Sequence, residues 1–243
     1  MSGYVFYLLL ATGVFAGAIV SGFAGFAFSG VAGVVLMHLM PPTEAVPLMM
    51  LCSVAVQGAG LVTLRNCISW RKSLPYVLGG AAGIPPALYL LHHTNTWALR
   101  VGFGLFIAAY AAYMLLCPAL PSFKRREHKG ATAAIGFAGG LIGGFTAMPG
   151  AVPTIWCNLR GIAKDEQRGI IQPYITIMQC VGIALLALGG GFNSATLIDA
   201  AISLPAVAAG TAIGILLFRK ASHGLYRRVV LSILFAGGIG LAV

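Results

Sequence analysis

The sequence predicts an all-α, polytopic helical membrane protein made of two inverted repeats, and three observations lead to this fold class. The first is composition: 59% of the 243 residues are hydrophobic and 8% are charged, against about 25% charged residues in soluble domains. The second is a similarity between the two halves of the chain. The third is the one-sided distribution of Lys and Arg among the loops.

Apolar stretches follow one another along the chain with short polar interruptions. They approach the ~20 residues that a helix needs to cross a bilayer, as at 5–20, 46–64, 74–91, 101–116 and 229–243. The net charge of +10 comes from loops between these stretches, where it orients a chain in the membrane. Since no basic stripe is interleaved with aromatic residues, we expect no nucleic-acid partner.

The two halves align with each other at nearly constant offsets. The matches at an offset of 122 are mainly glycines and glutamines: Gly17 with Gly139, Gly22 with Gly144, and Gln57 with Gln179. Farther on, residues 73–75 match residues 203–205 at an offset of 130, after an insertion of about eight residues. We therefore expect a first transmembrane repeat at 1–120, a cytoplasmic linker at 121–130 and a second transmembrane repeat at 131–243.

Each half opens with an apolar stretch that is too long for one crossing. Residues 4–40 would form a helix of about 55 Å at 1.5 Å per residue, against a hydrocarbon core of about 30 Å. The middle of this stretch is rich in glycine, and its counterpart contains both glycine and proline. Because both residues weaken helices, we expect a broken helical hairpin in each half. The chain then has about eight conventional spans, or ten segments when the hairpin arms are counted.

The distribution of Lys and Arg favours the hairpins. If each opening stretch crossed once, the basic residues would divide eight to seven between the two sides. If each stretch enters and returns, 14 of the 15 basic residues share one side and Arg100 lies opposite. The cytoplasmic side normally collects Lys and Arg, so this split predicts five segments per half and both termini outside the cytoplasm. An odd number of segments also inverts the second half.

Several short motifs stand in a characteristic order along the first half. A glycine-rich opening stretch is followed by Pro41-Pro42-Thr43-Glu44-Ala45-Val46, Asn66-Cys67-Ile68-Ser69-Trp70, Leu74-Pro75 and Gly79-Gly80-Ala81-Ala82-Gly83. The second half repeats this order more loosely. Over nearly the whole chain the pattern resembles the sulfite exporter TauE/SafE family of membrane permeases. The resemblance implies a permease of the bacterial cytoplasmic membrane for sulfite, sulfonates or related sulfur anions.

The glycine-rich breaks are the first candidates for substrate binding. A helix that is broken inside a membrane directs backbone N–H groups at the gap, with the positive end of its dipole behind them. The candidates are Ser21, Gly22, Gly25, Ser29 and Gly30 in the first half, and Gly143, Gly144, Thr146, Pro149 and Gly150 in the second. The alternative is that these small residues let helices pack closely.

Two glutamines inside apolar helices form the second group of candidates. An amide in hydrocarbon needs a hydrogen-bond partner, which for Gln57 and Gln179 is either an oxyanion or the broken backbone. Ser53 and Thr176 lie one helical turn away from them and share their helix faces.

Four charged residues are candidates for coupling or gating. Glu44 and Glu166 have the acidic chemistry of a proton relay, but each also follows an N-cap residue at an expected helix start, where a carboxylate complements the helix dipole. Arg65 and Arg160 either gather anions at the cytoplasmic mouth or anchor their loops. The five cysteines and five histidines are scattered, so we expect no metal site and no cofactor.

These observations lead to a secondary transporter that moves a small anion by alternating access. Proton coupling and coupling to the membrane potential both stay open at this point, as do substrate identity and homo-oligomer formation. The alternatives are a passive anion channel and a transporter of an unrelated small solute. An enzyme is disfavoured because the sequence has neither His-Glu-x-x-His nor Gly-x-Ser-x-Gly.

Overall fold

The computed structural model describes residues 3–63, 68–116, 128–220 and 223–242, and these fold into ten α-helices without a strand. Six of the helices, α1, α3, α4, α5, α8 and α9, are long and apolar enough to cross a membrane. The described part of the chain confirms the all-α polytopic fold and the ten predicted segments. The helices are α1 Gly3–Ala24, α2 Phe28–Leu39, α3 Pro42–Thr63, α4 Trp70–His93, α5 Thr96–Leu116, α6 Lys129–Thr146, α7 Ala151–Leu159, α8 Lys164–Leu188, α9 Ser194–Lys220 and α10 His223–Ala242.

Both opening stretches are broken hairpins, as the glycine content and the charge count predict. Three residues separate α1 from α2, and four separate α6 from α7; we call residues 25–27 the first break and residues 147–150 the second break. Gly25 has a φ of 90° and Ala147 a φ of 53°, and the two positions correspond at the offset of 122. Each helix therefore ends where the chain turns into the left-handed region, which glycine adopts readily and alanine only under constraint.

Close contacts between small residues hold two helix pairs together. α1 packs along α9, and α6 packs along α4. A Cβ on Gly210 would lie 2.8 Å from the Ala18 Cβ, and a Cβ on Gly140 would meet the Gly80 backbone. Residues 18 and 140 correspond at the offset of 122, and residues 80 and 210 at the offset of 130. The two interfaces are thus built from equivalent residues of the two halves, as small residues commonly build interfaces in membranes.

The helices of each pair run in the same direction. Gly136 contacts Tyr76 and Gly144 contacts Ala87, so residue numbers rise together along α6 and α4. The contacts between α1 and α9 rise in the same way, from Phe15 with Gly210 to Gly22 with Gly214. The start of α6 therefore lies beside the start of α4, and the start of α1 beside the start of α9.

Several further contacts follow the same exchange of halves, whereas the α2–α10 contact has no α7–α5 counterpart of similar extent among the described residues. α3 packs against α8 and α9, α8 packs against α3 and α4, and α5 packs against α10. If the halves are exchanged, the α3–α9 contact becomes the α8–α4 contact, and the α3–α8 and α5–α10 contacts map onto themselves. The contacts therefore agree with a duplicated chain. The inverted orientation of the repeats and the boundaries at 120 and 130 stay predictions, and most of the expected linker lies outside the described residues.

The loops before α4 and α8 lie at one end of the bundle. Lys72 of α4 forms an ion pair with Glu166 of α8, and the Ser69 N–H donates to the Gly169 carbonyl over 3.0 Å. We call this end, where α4, α6 and α8 start, the basic end. The hairpin count places these loops together, whereas single crossings would separate them.

The starts of α3, α5 and α9 lie together at the opposite end. Asn193, just before α9, donates to the Glu44 carboxylate of α3 over 3.4 Å. Arg100 of α5 donates to the Met40 carbonyl, also over 3.4 Å. The basic residue that the charge count leaves alone is thus found away from the basic end.

The α4–α6 interface is tested by two matched glycine substitutions. A side chain at Gly140 would collide with α4, whereas nothing lies within 4 Å of a Cβ at Gly102 of α5. We expect Gly140→Ala to lower the free energy of unfolding by roughly 1–3 kcal/mol through overpacking. Gly102→Ala should be neutral or stabilising, because alanine favours the helix. Thermal unfolding of the purified variants in detergent is the measurement, and equal melting temperatures for both would contradict this interface.

Candidate functional site

The two breaks meet in the interior of the bundle. The Ser29 hydroxyl, at the start of α2, donates to the Ala147 carbonyl of the second break over 2.6 Å. A Cβ on Gly150 would lie 3.4 Å from the Phe26 Cβ. Ser29 and Ala147 are 1% and 2% exposed, so this junction is a buried feature. We call the two breaks together the joined breaks.

Gln57 and Gln179 bind the backbone of the joined breaks. The Gln57 side-chain N–H donates to the Gly25 carbonyl over 3.2 Å, and the Gln179 side-chain N–H donates to the Ala147 carbonyl over 2.7 Å. Both glutamines are 1% exposed. All four residues correspond at the offset of 122, so the same hydrogen bond is made twice. Of the two partners that the sequence left open, the structure supplies the broken backbone, while a bond to substrate stays a prediction.

The serine and threonine candidates for substrate binding differ in what their hydroxyl groups contact. Gln179 also donates to the Ser53 hydroxyl over 3.3 Å, which links α8 to α3. Thr176 donates to the Gln172 carbonyl of its own helix over 3.0 Å. Thr146 donates to the Ile142 carbonyl over 2.7 Å. Ser53 is therefore bonded to a glutamine that supports the joined breaks, and Thr176 bonds only its own helix. Thr146 also accepts from the Met148 N–H of the second break over 3.1 Å.

Two further residues of α8 approach the first break, Arg168 directly and Gln172 through Gln57. The Arg168 guanidinium donates to the Gly22 carbonyl over 3.1 Å, and its Nε would lie 2.8 Å from a Cβ on Gly25. The Gln172 side-chain N–H donates to the Gln57 side-chain oxygen over 2.8 Å. The sequence prediction counted Arg168 only as a loop charge and did not select Gln172.

A periodic signal could have identified these two residues. Arg168, Gln172 and Gln179 stand four and seven positions apart in α8. This spacing puts them on one face of a helix. Polar residues with this periodicity in an otherwise apolar helix indicate a shared partner across that face.

The joined breaks concentrate hydrogen-bond donors and positive charge. α2 and α7 both begin there, and the first N–H groups of a helix lack acceptors within that helix. The helix dipoles add partial positive charge at these starts, and Arg168 adds a full charge. This combination of buried donors and positive charge suits a small anion.

The whole-chain comparison agrees with this chemistry. Residues 9–241 match the family model described as Sulfite exporter TauE/SafE. This chain belongs to the sulfite exporter TauE/SafE family. The match runs from α1 into α10 and confirms the resemblance seen in the motifs. No curated protein and no solved structure gives a significant match to the chain.

Several candidate glycines of this TauE/SafE family member lie in tight packing contacts. A Cβ on Gly143 would lie 2.6 Å from the Pro149 Cβ, and one on Gly150 would lie 2.5 Å from the Ile175 side chain. A Cβ on Gly30 has more room, with its nearest neighbour, a Leu234 methyl, 3.2 Å away. Gly22 and Gly144 face α9 and α4. Helix packing thus accounts for their small size, and substrate contact stays a prediction.

The charged candidates lie at the ends of the bundle, away from the joined breaks. Glu166 pairs with Lys72 at the basic end, and Glu44 accepts from Asn193 at the opposite end. Arg160 follows α7, with its backbone N–H bonded to the Trp156 carbonyl over 3.1 Å. Arg65 lies outside the described residues. Coupling and gating by these residues stay predictions.

The glutamine bonds to the breaks are tested by comparing two substitutions around Gln179. We expect Gln179→Leu to lower the free energy of unfolding by about 0.5–1.5 kcal/mol, because the Ala147 carbonyl loses its amide donor but keeps the Ser29 hydroxyl as a donor. Ser53→Ala removes only an acceptor of Gln179 and should cost less. Thermal unfolding in detergent compares the two variants. If Ser53→Ala lowers the stability as much as Gln179→Leu does, the hydrogen bond from Gln179 to the second break is not the stabilising contact.

Proposed function

We propose that this chain is a secondary transporter that moves a small sulfur oxyanion or organosulfonate across the membrane by alternating access. One observation carries the proposal: two helix breaks from equivalent positions meet inside the bundle, among buried donors and beside Arg168. Membership of the TauE/SafE family supports both the transport activity and the sulfur chemistry of the substrate. Broken helices that meet between repeats are the common way in which secondary transporters build a substrate site.

The contacts suggest which parts move in this mechanism. The α1–α9 and α4–α6 pairs each join one helix of the first half to one helix of the second half. The central α3–α8 contact carries both glutamines. Rocking of the outer pairs about this centre would open the joined breaks to one end and then to the other. The Lys72–Glu166 and Asn193–Glu44 contacts would break and re-form at the two ends.

We place the basic end in the cytoplasm of a bacterial cell, because the cytoplasmic side collects Lys and Arg. The protein is then integral to the plasma membrane. The start of α1 lies with the start of α9 at the opposite end, so the N-terminus faces out of the cytoplasm. α10 runs parallel to α2, since Gly30 contacts Leu234 and Val34 contacts Gly237, which directs the C-terminus the same way.

Uptake into proteoliposomes tests the proposed function. Radiolabelled sulfite, thiosulfate and a short sulfonate are each offered with and without an imposed pH gradient. We expect saturable uptake of at least one of them, and counterflow exchange, which distinguishes a carrier from a channel. The pH gradient and an imposed membrane potential then separate the two forms of coupling.

A double variant connects this activity to the joined breaks. Gln57→Ala with Gln179→Ala removes both amide bonds to the breaks. We expect uptake to fall about tenfold or more, because the two hydrogen bonds that position the breaks are worth roughly 0.5–1.5 kcal/mol each. Cys180→Ala is the control, since Cys180 follows Gln179 but is exposed. Absence of saturable uptake by folded, reconstituted wild-type protein would exclude transport of the sulfur anions tested.

Orientation is tested by labelling single cysteines in intact cells. In a variant without the native cysteines, cysteine is introduced at Lys72 or Lys129 near the basic end, and at Asn95 or Asn193 near the other. All four positions are exposed. We expect a membrane-impermeant reagent added outside to label only positions 95 and 193. Labelling of 72 or 129 from outside would reverse the proposed orientation.

A further inference from the structure

The orientation of the two buried amides at the first break is fixed by the backbone. The Gly25 carbonyl can only accept a hydrogen bond, so Gln57 must direct its N–H group to it. The Gln57 side-chain oxygen then faces Gln172 and accepts from the N–H group of Gln172 over 2.8 Å. The side-chain oxygen of Gln172 is therefore the far end of this chain of amides, and it can only accept.

That oxygen is buried without a donor. Gln172 is 3% exposed, and its Oε1 has no hydrogen-bond partner among the described residues. An unpaired buried acceptor is costly. Gly60 of α3 makes room for Gln172, since a Cβ there would collide with its amide. The two facing helices thus accommodate an amide whose oxygen awaits a donor.

A positive charge lies one helical turn away on the same face. Arg168 and Gln172 are four residues apart in α8, a spacing that brings side chains to neighbouring positions, about 5–6 Å between Cβ atoms. The Arg168 guanidinium lies against Gly22 and Gly25. The adjacent Ser21 is 2% exposed, and its hydroxyl likewise has no partner within the described part of the chain.

We propose that Arg168 and Gln172 recognise a monoanion that also carries a hydrogen-bond donor. This inference rests on the proposed function and narrows its substrate class. Arg168 neutralises the sulfur oxyanion group, and the Gln172 oxygen accepts from an O–H or N–H group of the same solute. Hydrogensulfite and hydroxy- or amino-alkylsulfonates share this chemistry. A fully deprotonated oxyanion would instead bring its oxygens against the unpaired carbonyl.

The pair belongs to one half of the chain only. At the offset of 122, Arg168 and Gln172 correspond to Val46 and Met50 in α3. Neither of these apolar residues can supply charge or accept a hydrogen bond of comparable strength. The repeated glutamine bonds support both breaks equally. Arg168 and Gln172, which we call the recognition pair, lie near the first break only.

Two isosteric sulfonates test the donor requirement directly. 2-Hydroxyethanesulfonate and 1-propanesulfonate have the same charge and length and differ by a hydroxyl in place of a methyl. Calorimetric binding to purified wild-type protein should favour the hydroxylated anion by about tenfold or more, since its absence would leave the buried oxygen unpaired. Equal affinities, or a preference for 1-propanesulfonate, would overturn the proposal without any variant being needed.

Three substitutions separate the roles of the residues. Gln172→Met, which installs the residue of the equivalent position, should reduce the preference to near one. Gln167→Met, the same change on α8 at a residue bonded to the Thr154 carbonyl, should preserve it. Arg168→Gln should weaken both anions while the preference persists. Retained preference in folded Gln172→Met protein would contradict the assignment of Gln172.

Binding and flux keep this inference apart from the proposed function. If the protein binds the hydroxylated sulfonate preferentially but takes up neither anion into proteoliposomes, the transport proposal is wrong and the roles of Arg168 and Gln172 are supported. Saturable uptake with no discrimination would sink the pair and leave transport standing. Sulfite uptake that falls as pH rises, at constant total sulfite, would select hydrogensulfite as the donor-bearing form. If sulfite uptake ignores pH while the hydroxylated sulfonate is preferred, the donor belongs to the organic sulfonates.

Discussion

The structure depends on satisfying a helix backbone that is broken where water is scarce. Within a bilayer, the N–H and C=O groups freed by a break must find partners inside the protein. Gln57 and Gln179 supply them for Gly25 and Ala147, each from the helix that follows its own hairpin. The same two glutamines bond across to α8 and α3 through Gln172 and Ser53. Support of the breaks and contact between the halves are therefore one hydrogen-bonded unit, which brings the breaks together.

Glycine serves two physical purposes in this unit. At Gly25 it permits the positive φ with which α1 ends. At Gly140 and Gly22 it lets a neighbouring helix approach to backbone contact, which strengthens dispersion and weak hydrogen bonding where no hydrophobic driving force exists. Close helix packing requires an intact helix, whereas the positive φ interrupts it. Both occur within one short stretch because the break lies at the end of the closely packed interface.

Sequence reasoning reached the architecture because its signals are collective. The length of residues 4–40 and the distribution of Lys and Arg each depend on many residues, so no single residue decides them. Together they predict the two hairpins and place the loops before α4 and α8 at the same end. The contacts of individual side chains were harder to predict. Gln57 and Gln179 were found because they repeat, but their backbone partners required coordinates. Arg168 and Gln172 have no polar counterpart in the first half, so a comparison of the two halves does not identify them.

This loss of symmetry has an electrostatic consequence for a carrier. Two identical halves would carry an arginine at both equivalent positions, whereas this chain has Arg168 in α8 and the apolar Val46 at the equivalent position of α3. Moving one elementary charge through the membrane potential involves about 2.3 kcal/mol per 100 mV. A bound monoanion is opposed by the charge of Arg168, so its exposure can change from one end to the other with less electrical work than an unopposed charge requires. A dianion would carry one more negative charge beside the same arginine, so the single Arg168 favours a monoanion over a dianion before any hydrogen bond is made.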